Sequence, residues 1–163
     1  MPNSSKSRTT HIPGNKCTAT DTEDATPRIS SIVETALYVN DLARALRFYG
    51  EALQLRRIDG DDRFVAFAAG AHHVLLLFLQ GSSLEPVAIN GSGTIPPHDA
   101  AGPAHIAFGI APTDISWWRD RLRQHDVEIE SEITWPRGGR SLFFRDPEQH
   151  LVELITPGVW EVY

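Results

Sequence analysis

Glu34, His105 and Glu153 fall at matching places in a sequence that repeats itself. Residues 32–53 read IVETALYVNDLARALRFYGEAL and residues 103–122 read PAHIAFGIAPTDISWWRDRL; overlaid, Glu34 falls on His105. Each half later closes with a second matched segment, HVLLLFL (73–79) and HLVELIT (150–156), in which Leu76 falls on Glu153. Three of the four equivalent positions therefore carry metal-ligating residue types, and the fourth is apolar. Two carboxylates and one imidazole can hold a divalent cation and still leave positions open for water or substrate, which separates a catalytic site from a closed structural one. The oxygen-rich set suits manganese, iron(II), nickel or zinc and disfavours a thiophilic metal. The imidazole ligates as its neutral form, so binding of this kind weakens in acid. The competing reading for each acid is an ion pair inside an apolar strand, with Arg140 and Arg145 as the available partners.

The elements that must position these residues follow from periodicity. Residues 32–39 alternate, with Ile32, Glu34, Ala36 and Tyr38 on one face and Val33, Thr35, Leu37 and Val39 on the other. Asn40 or Asp41 caps a helix over 41–53, whose apolar stripe is Leu42, Leu46, Tyr49 and Leu53. A short strand near 55–58, an Asp59-Gly60 hairpin turn, an apolar strand from Phe64 and a strand over 73–79 complete the half. Residues 80–101, rich in Gly and Pro, form the connection. The second half repeats the order. It has a strand over 104–110, a helix over 114–124 capped by Thr113 or Asp114 with Ile115, Trp118 and Leu122 as its stripe, then strands near 127–134, 140–145 and 150–156. Ile106, Phe108 and Ile110 should meet the helix, which turns His105, Ala107 and Gly109 toward an open face with room for a ligand.

The expected class is α+β: two βαβββ modules forming a curved, eight-stranded mixed sheet around a concave metal-binding cup. Residues 1–29 read as a disordered extension, 30–80 as module one, 81–101 as linker, 102–157 as module two and 158–163 as a tail. A net charge of −6 with no basic stripe disfavours nucleic acid, and no apolar run reaches bilayer length. The single Cys17 rules out a disulfide within the chain and suits a reducing cytoplasm. His98 sits in the linker just before His105 and is a candidate for the pocket mouth, with Tyr38 on the face that carries Glu34. Arg137 and Arg140 flank Gly138-Gly139 and are candidates to clamp a substrate anion, against a reading as plain surface charge. His72 and His73 read as a solvated turn, and His11, His125 and His150 receive no role.

Three segments, LYVNDLARALRFYGEALQL (37–55), GPAHIAFGI (102–110) and FFRDPEQHLVEL (143–154), resemble the vicinal oxygen chelate superfamily of glyoxalase I, extradiol dioxygenases, fosfomycin-resistance transferases and bleomycin-binding proteins. The resemblance implies metal ligands at Glu34, His105 and Glu153, with Leu76 standing where glyoxalase I has a carboxylate. It implies a lyase, isomerase or epimerase that chelates neighbouring oxygens of a small substrate, with Glu34 or Glu153 moving the proton. A drug-binding resistance protein without catalysis is the alternative, and a ring-cleaving dioxygenase the third reading. It also implies a homodimer, in which Glu34 can join His105 and Glu153 across a chain boundary, as in glyoxalase I; other members pair their modules within one chain, and the sequence leaves both arrangements open. Glu34 in place of His cancels the charge of a divalent metal, which argues against the two-His iron triad of oxygenases and equally against a fosfomycin transferase.

Overall fold

The computed structural model describes residues 26–163. Most of the extension expected over 1–29, including His11 and Cys17, lies outside the described residues. Residues 26–33 carry no regular secondary structure, and Ile32–Tyr163 forms one compact unit.

Module one runs β1 (Glu34–Val39), α1 (Leu42–Arg47), β2 (Arg56–Gly60), β3 (Phe64–Ala69) and β4 (His73–Leu79). A small hairpin, β5 (Val87–Ile89) with β6 (Gly93–Ile95), stands in the linker, where the sequence suggests only loop. Module two follows as β7 (His105–Gly109), α2 (Ile115–Gln124), β8 (Ile129–Thr134), β9 (Arg140–Arg145) and β10 (Leu151–Ile155). The eight strands of the repeat hydrogen-bond as two four-stranded mixed sheets, in the orders β1-β4-β3-β2 and β7-β10-β9-β8. The first strand of each module is an edge strand, paired in parallel with the last. Strand alternation works as expected. Leu37, Val39, Leu75, Leu77, Val152 and Leu154 are buried in a core shared by both modules, while Glu34, Ala36, His105, Ala107 and Gly109 are exposed.

Three local details depart from the sequence reading. Asp41 caps α1, its carboxylate accepting from the Arg44 amide at 2.9 Å, but the helix expected over 41–53 widens into a π turn at Phe48–Ala52. The Leu53 amide donates to the Phe48 carbonyl at 3.1 Å, five residues back, and Gly50, a poor α-helix former, lies in this wide turn. Helix α2 starts after a 3-10 turn at Pro112–Asp114; the Asp114 carboxylate accepts from Thr113 rather than capping the helix. The β2–β3 turn falls on residues 61–63, not on Asp59-Gly60. There the Asp61 carboxylate accepts from the amides of Arg63 (2.8 Å) and Phe64 (3.2 Å). Gly60 is needed for another reason: at φ +142°, a side chain there would sit 2.6 Å from the Phe64 carbonyl oxygen.

Polar groups bolt the two modules together. The buried Tyr49 hydroxyl donates to Asp146 at 2.8 Å, and burial beside that carboxylate pushes the phenol's pKa far up. The other Asp146 oxygen accepts from the amides of Glu148 and His150, which shapes the loop between β9 and β10. The Ala104 amide donates to His150 Nδ1 at 2.9 Å, so Nε2 carries the proton and donates to the Tyr38 carbonyl at 3.1 Å. Arg121 on α2 donates to the Ala52 carbonyl at 2.9 Å and to that of Glu51, satisfying acceptors at the end of the π turn.

Candidate metal centre

The registers make the internal repeat concrete. On sheet one, Glu34 stands two residues before Ala36, and Ala36 pairs with Leu76. On sheet two, His105 stands two residues before Ala107, and Ala107 pairs with Glu153. His105 and Glu153 therefore occupy the same relative places as Glu34 and Leu76, on the face turned away from the core.

In module two this placement brings the pair together. His105 Nε2 lies 3.3 Å from Glu153 Oε2. The imidazole is half exposed and stacks on the Phe143 ring, 6.4 Å between centroids with the planes 29° apart. Its Nδ1 is 3.1 Å from the Leu151 carbonyl. A carbonyl only accepts, so Nδ1 carries the proton and Nε2 presents its lone pair in the neutral ring. This is how a second partner orients a metal-binding histidine.

Glu153 is buried, flanked across the sheet by Ala107 and Phe143. Its second oxygen, Oε1, is shielded from solvent and makes no hydrogen bond, the one such side-chain atom among the described residues. The two arginines considered as its partners are committed elsewhere: Arg140 to Glu132 and Arg145 to Glu130. A lone pair facing a buried carboxylate, with one carboxylate oxygen left without a donor, is unfavourable unless a cation or proton joins them. The donor set fits a divalent cation, one imidazole nitrogen and one carboxylate, with the remaining positions open to other oxygens.

Glu34 does not join this pair within one chain. Among the described residues no group of three His, Cys, Asp or Glu side chains is close enough to hold a metal. Glu34 is exposed at the start of β1, and Leu76 adds no ligand to it.

The other expected site residues divide. Tyr38 and His98 come together, the phenol oxygen 2.6 Å from Nδ1. Arg137 donates to the Val159 carbonyl, so it secures the segment after β10 instead of presenting a clamp. Arg140 shares Glu132 with Arg119, and these hydrogen bonds hold the Glu132 carboxyl below its usual pKa although partial burial opposes them. Both arginines thus take part in structural pairing, and the Arg140 side chain remains partly exposed. His72 lies in a turn and His73 opens β4, both exposed. His150, given no role from sequence, is a buried bolt between modules, and only its apolar surroundings in HLVELIT hinted at burial. The residues after β10 also matter: the Tyr163 hydroxyl donates to the Ile155 carbonyl at 2.7 Å and lies 3.1 Å from that of Ile110, over Gly109. No helix among the described residues is long and apolar enough to cross a membrane.

A family described as the glyoxalase/bleomycin resistance protein/dioxygenase superfamily matches residues 31–154. In sequence the chain is similar to the metallothiol transferase FosB of Staphylococcus saprophyticus, 27% identical over 130 residues and 78% of each chain. It is also similar to the fosfomycin resistance protein FosX of Listeria innocua, 28% identical over 135 residues, spanning 77% of this chain and 89% of that one. Among solved structures, the lactoylglutathione lyase of Agrobacterium tumefaciens superposes with a TM-score of 0.73 at 31% identity, over 83% of this chain and 99% of that one.

Proposed function

Because the chain belongs to the glyoxalase/bleomycin resistance protein/dioxygenase superfamily, we propose that it is a metal-dependent enzyme of the glyoxalase kind, acting on a small molecule with neighbouring oxygens. The observation that carries this reading is the His105–Glu153 pair, with its fixed tautomer and its unpartnered buried carboxylate oxygen. A divalent cation bound there would polarise a substrate carbonyl and stabilise negative charge developing on its oxygen. Glu153 is buried and held against His105, which suits a fixed ligand. Glu34 is exposed and unpaired among the described residues, which suits a carboxylate that completes the site and moves the proton next to the coordinated carbonyl.

Completion of the site by Glu34 calls for a second copy of the chain. Both β1, which carries Glu34, and β7, which carries His105, are edge strands with one side unpaired. Exposed Ile32 and Val33 lie directly before Glu34. Apolar groups beside an open strand edge favour association with another copy. Manganese titration of wild-type, His105→Ala and Glu34→Gln proteins, with the mass in solution measured alongside, tests this reading. Full metal retention by His105→Ala refutes the centre, and a monomer that binds manganese independently of Glu34 refutes the shared site.

A second reading, thiol transfer conferring fosfomycin resistance, is favoured by the metallothiol transferase FosB and the fosfomycin resistance protein FosX. Against it stands the second carboxylate, which leaves a bound divalent cation with no net formal charge to attract an anionic drug. Expression in a fosfomycin-sensitive bacterium separates the two: unchanged sensitivity supports the glyoxalase kind of chemistry, and protection supports transfer.

A further inference from the structure

The face of sheet one that carries Glu34 is graded from end to end, exposed at Glu34 and Ala36 and half-buried over most of the rest. Its cross-strand rows are Glu34 with Val74 and Ala68, then Ala36 with Leu76 and Ala66, then Tyr38 with Phe78 and Phe64. Alternate residues of a strand share a face, so these three rows lie side by side. A carboxylate stands at one end, small and aliphatic residues form the middle, and an aromatic row closes the far end. The rings in that row touch, with centroids 5.8 Å apart for Tyr38–Phe78 and 5.6 Å for Phe64–Phe78.

His98 completes the aromatic end. Its ring stands edge-on to Phe78, 4.7 Å between centroids, and its Nδ1 is 2.6 Å from the Tyr38 hydroxyl. The linker holds it there through three anchors. The His98 amide donates to the Ser83 carbonyl at 2.9 Å, the Gly81 amide to Asp99 at 3.0 Å, and the Gln80 side chain to the Ala100 carbonyl at 2.8 Å. Among the described residues His98 Nε2 makes no hydrogen bond. Burial, with Asp99 nearby, raises the Tyr38 pKa, so the phenol keeps its proton. Whichever ring nitrogen holds the imidazole proton, the pair has one donor left over. If Tyr38 donates to Nδ1, His98 Nε2–H is left without a partner; if Nδ1 donates, the Tyr38 hydroxyl proton is.

We propose that Tyr38 and His98 form a recognition subsite for a hydrogen-bond-accepting oxygen at the far end of an aromatic substrate, whose near end meets Glu34. The proposal rests on the metalloenzyme reading for the near end only. Glu34 and Tyr38 are four residues apart on one strand, about 13 Å at about 3.3 Å per residue. With both side chains projecting over the sheet, that span accommodates one aromatic ring between a chelating head and a distal carbonyl. The ring lies over Ala36 and Leu76 and stacks toward Phe78. Small aliphatic diols or ketoacids would bridge the head alone and leave that donor unused.

The test uses hydroxamate probes with the full-length protein loaded with manganese. Acetohydroxamate reports the head, and 4-acetylbenzohydroxamate adds a ring and a distal acceptor. 4-Ethylbenzohydroxamate keeps the shape without the acceptor. Wild-type protein is expected to prefer the acetyl over the ethyl compound about tenfold, the worth of one well-made hydrogen bond. His98→Phe should abolish that preference and Tyr38→Phe weaken it, with manganese content and acetohydroxamate affinity unchanged. Equal affinities in wild type, or a preference that survives His98→Phe, overturn the subsite. A metal-free arm separates the two readings: acetophenone should shift the His98 ring nitrogens in 15N-histidine-labelled protein, and ethylbenzene should not. Failure to take up manganese refutes the metal centre alone, whereas an acetophenone-silent His98 refutes the recognition subsite alone.

Discussion

Replacing Glu153 with Met tests the metal centre through stability. Glu153 is buried and its Oε1 has no donor. A buried charged group left unsatisfied costs about 1–3 kcal/mol, and replacing a buried charge by an apolar side chain of similar volume is often stabilising. His105 needs no substitute partner, because half of its side chain faces water. In chelator, Glu153→Met should therefore be more stable than wild type by about 1–3 kcal/mol. At about 4 °C per kcal/mol for a unit of this size, Tm rises by about 4–12 °C. In manganese the order should close or reverse. A ligand held about 100-fold above its Kd stabilises by about 2.7 kcal/mol, and only wild type keeps the carboxylate to bind it. Urea unfolding of both proteins, with and without manganese, measures all four values. A Glu153→Met protein that is less stable than wild type in chelator, at an unchanged m value, refutes the reasoning. The carboxylate would then be stabilising the fold without any cation.

Two further outcomes follow from the polar contacts. Arg119 and Arg140 hold the folded Glu132 carboxyl below its ordinary 4.5, so its contribution to stability is complete above about pH 4.5 and is lost as the pH falls through the lowered value. Glu132→Gln should lose no more than about 1 kcal/mol at pH 7, since a third of the side chain is exposed, and its difference from wild type should shrink as the pH falls through the lowered value; a difference that grows in acid contradicts this sign. Tyr49→Phe removes a donor from the buried Asp146 and should cost about 1.5–3 kcal/mol in urea unfolding. A loss under about 0.5 kcal/mol would show that the two backbone amides on Asp146 suffice.

The repeat was legible because strand alternation and helix stripes are read from local spacing. Ile106 and Phe108 pack toward the core and His105 faces out, as their two-residue period requires. The His105–Glu153 pair was legible for the same reason: register carries a sequence match into a spatial one. What escaped depends on contacts between distant residues. Arg140 looks free in Trp135-Pro136-Arg137-Gly138-Gly139-Arg140, and only the β8–β9 pairing brings Glu132 to it. His150 looks like a strand residue of no consequence until its ring bridges the Tyr38 carbonyl and the Ala104 amide. The π turn also depends on tertiary packing, since burial of Phe48 and Tyr49 and the Arg121 contacts act together on one short segment.

Duplication explains why the two modules can share a fold and divide the work. Each presents one edge-strand residue and one last-strand residue at identical register, Glu34 with Leu76 and His105 with Glu153. In module two the pair stands 3.3 Å apart with the carboxylate buried and the imidazole pinned by the Leu151 carbonyl, as the proposed metal centre requires. In module one, the leucine at the second position keeps charge off the middle of the face, where the proposed subsite calls for an apolar floor. An acid at 76 would add a third carboxylate to the set and interrupt the row between Ala36 and Ala66. Loss of that ligand and gain of the aromatic end are on this argument one adaptation. Leu76→Glu should accordingly tighten manganese and weaken 4-ethylbenzohydroxamate relative to acetohydroxamate in the same protein, and movement of both affinities in the same direction would separate the two features.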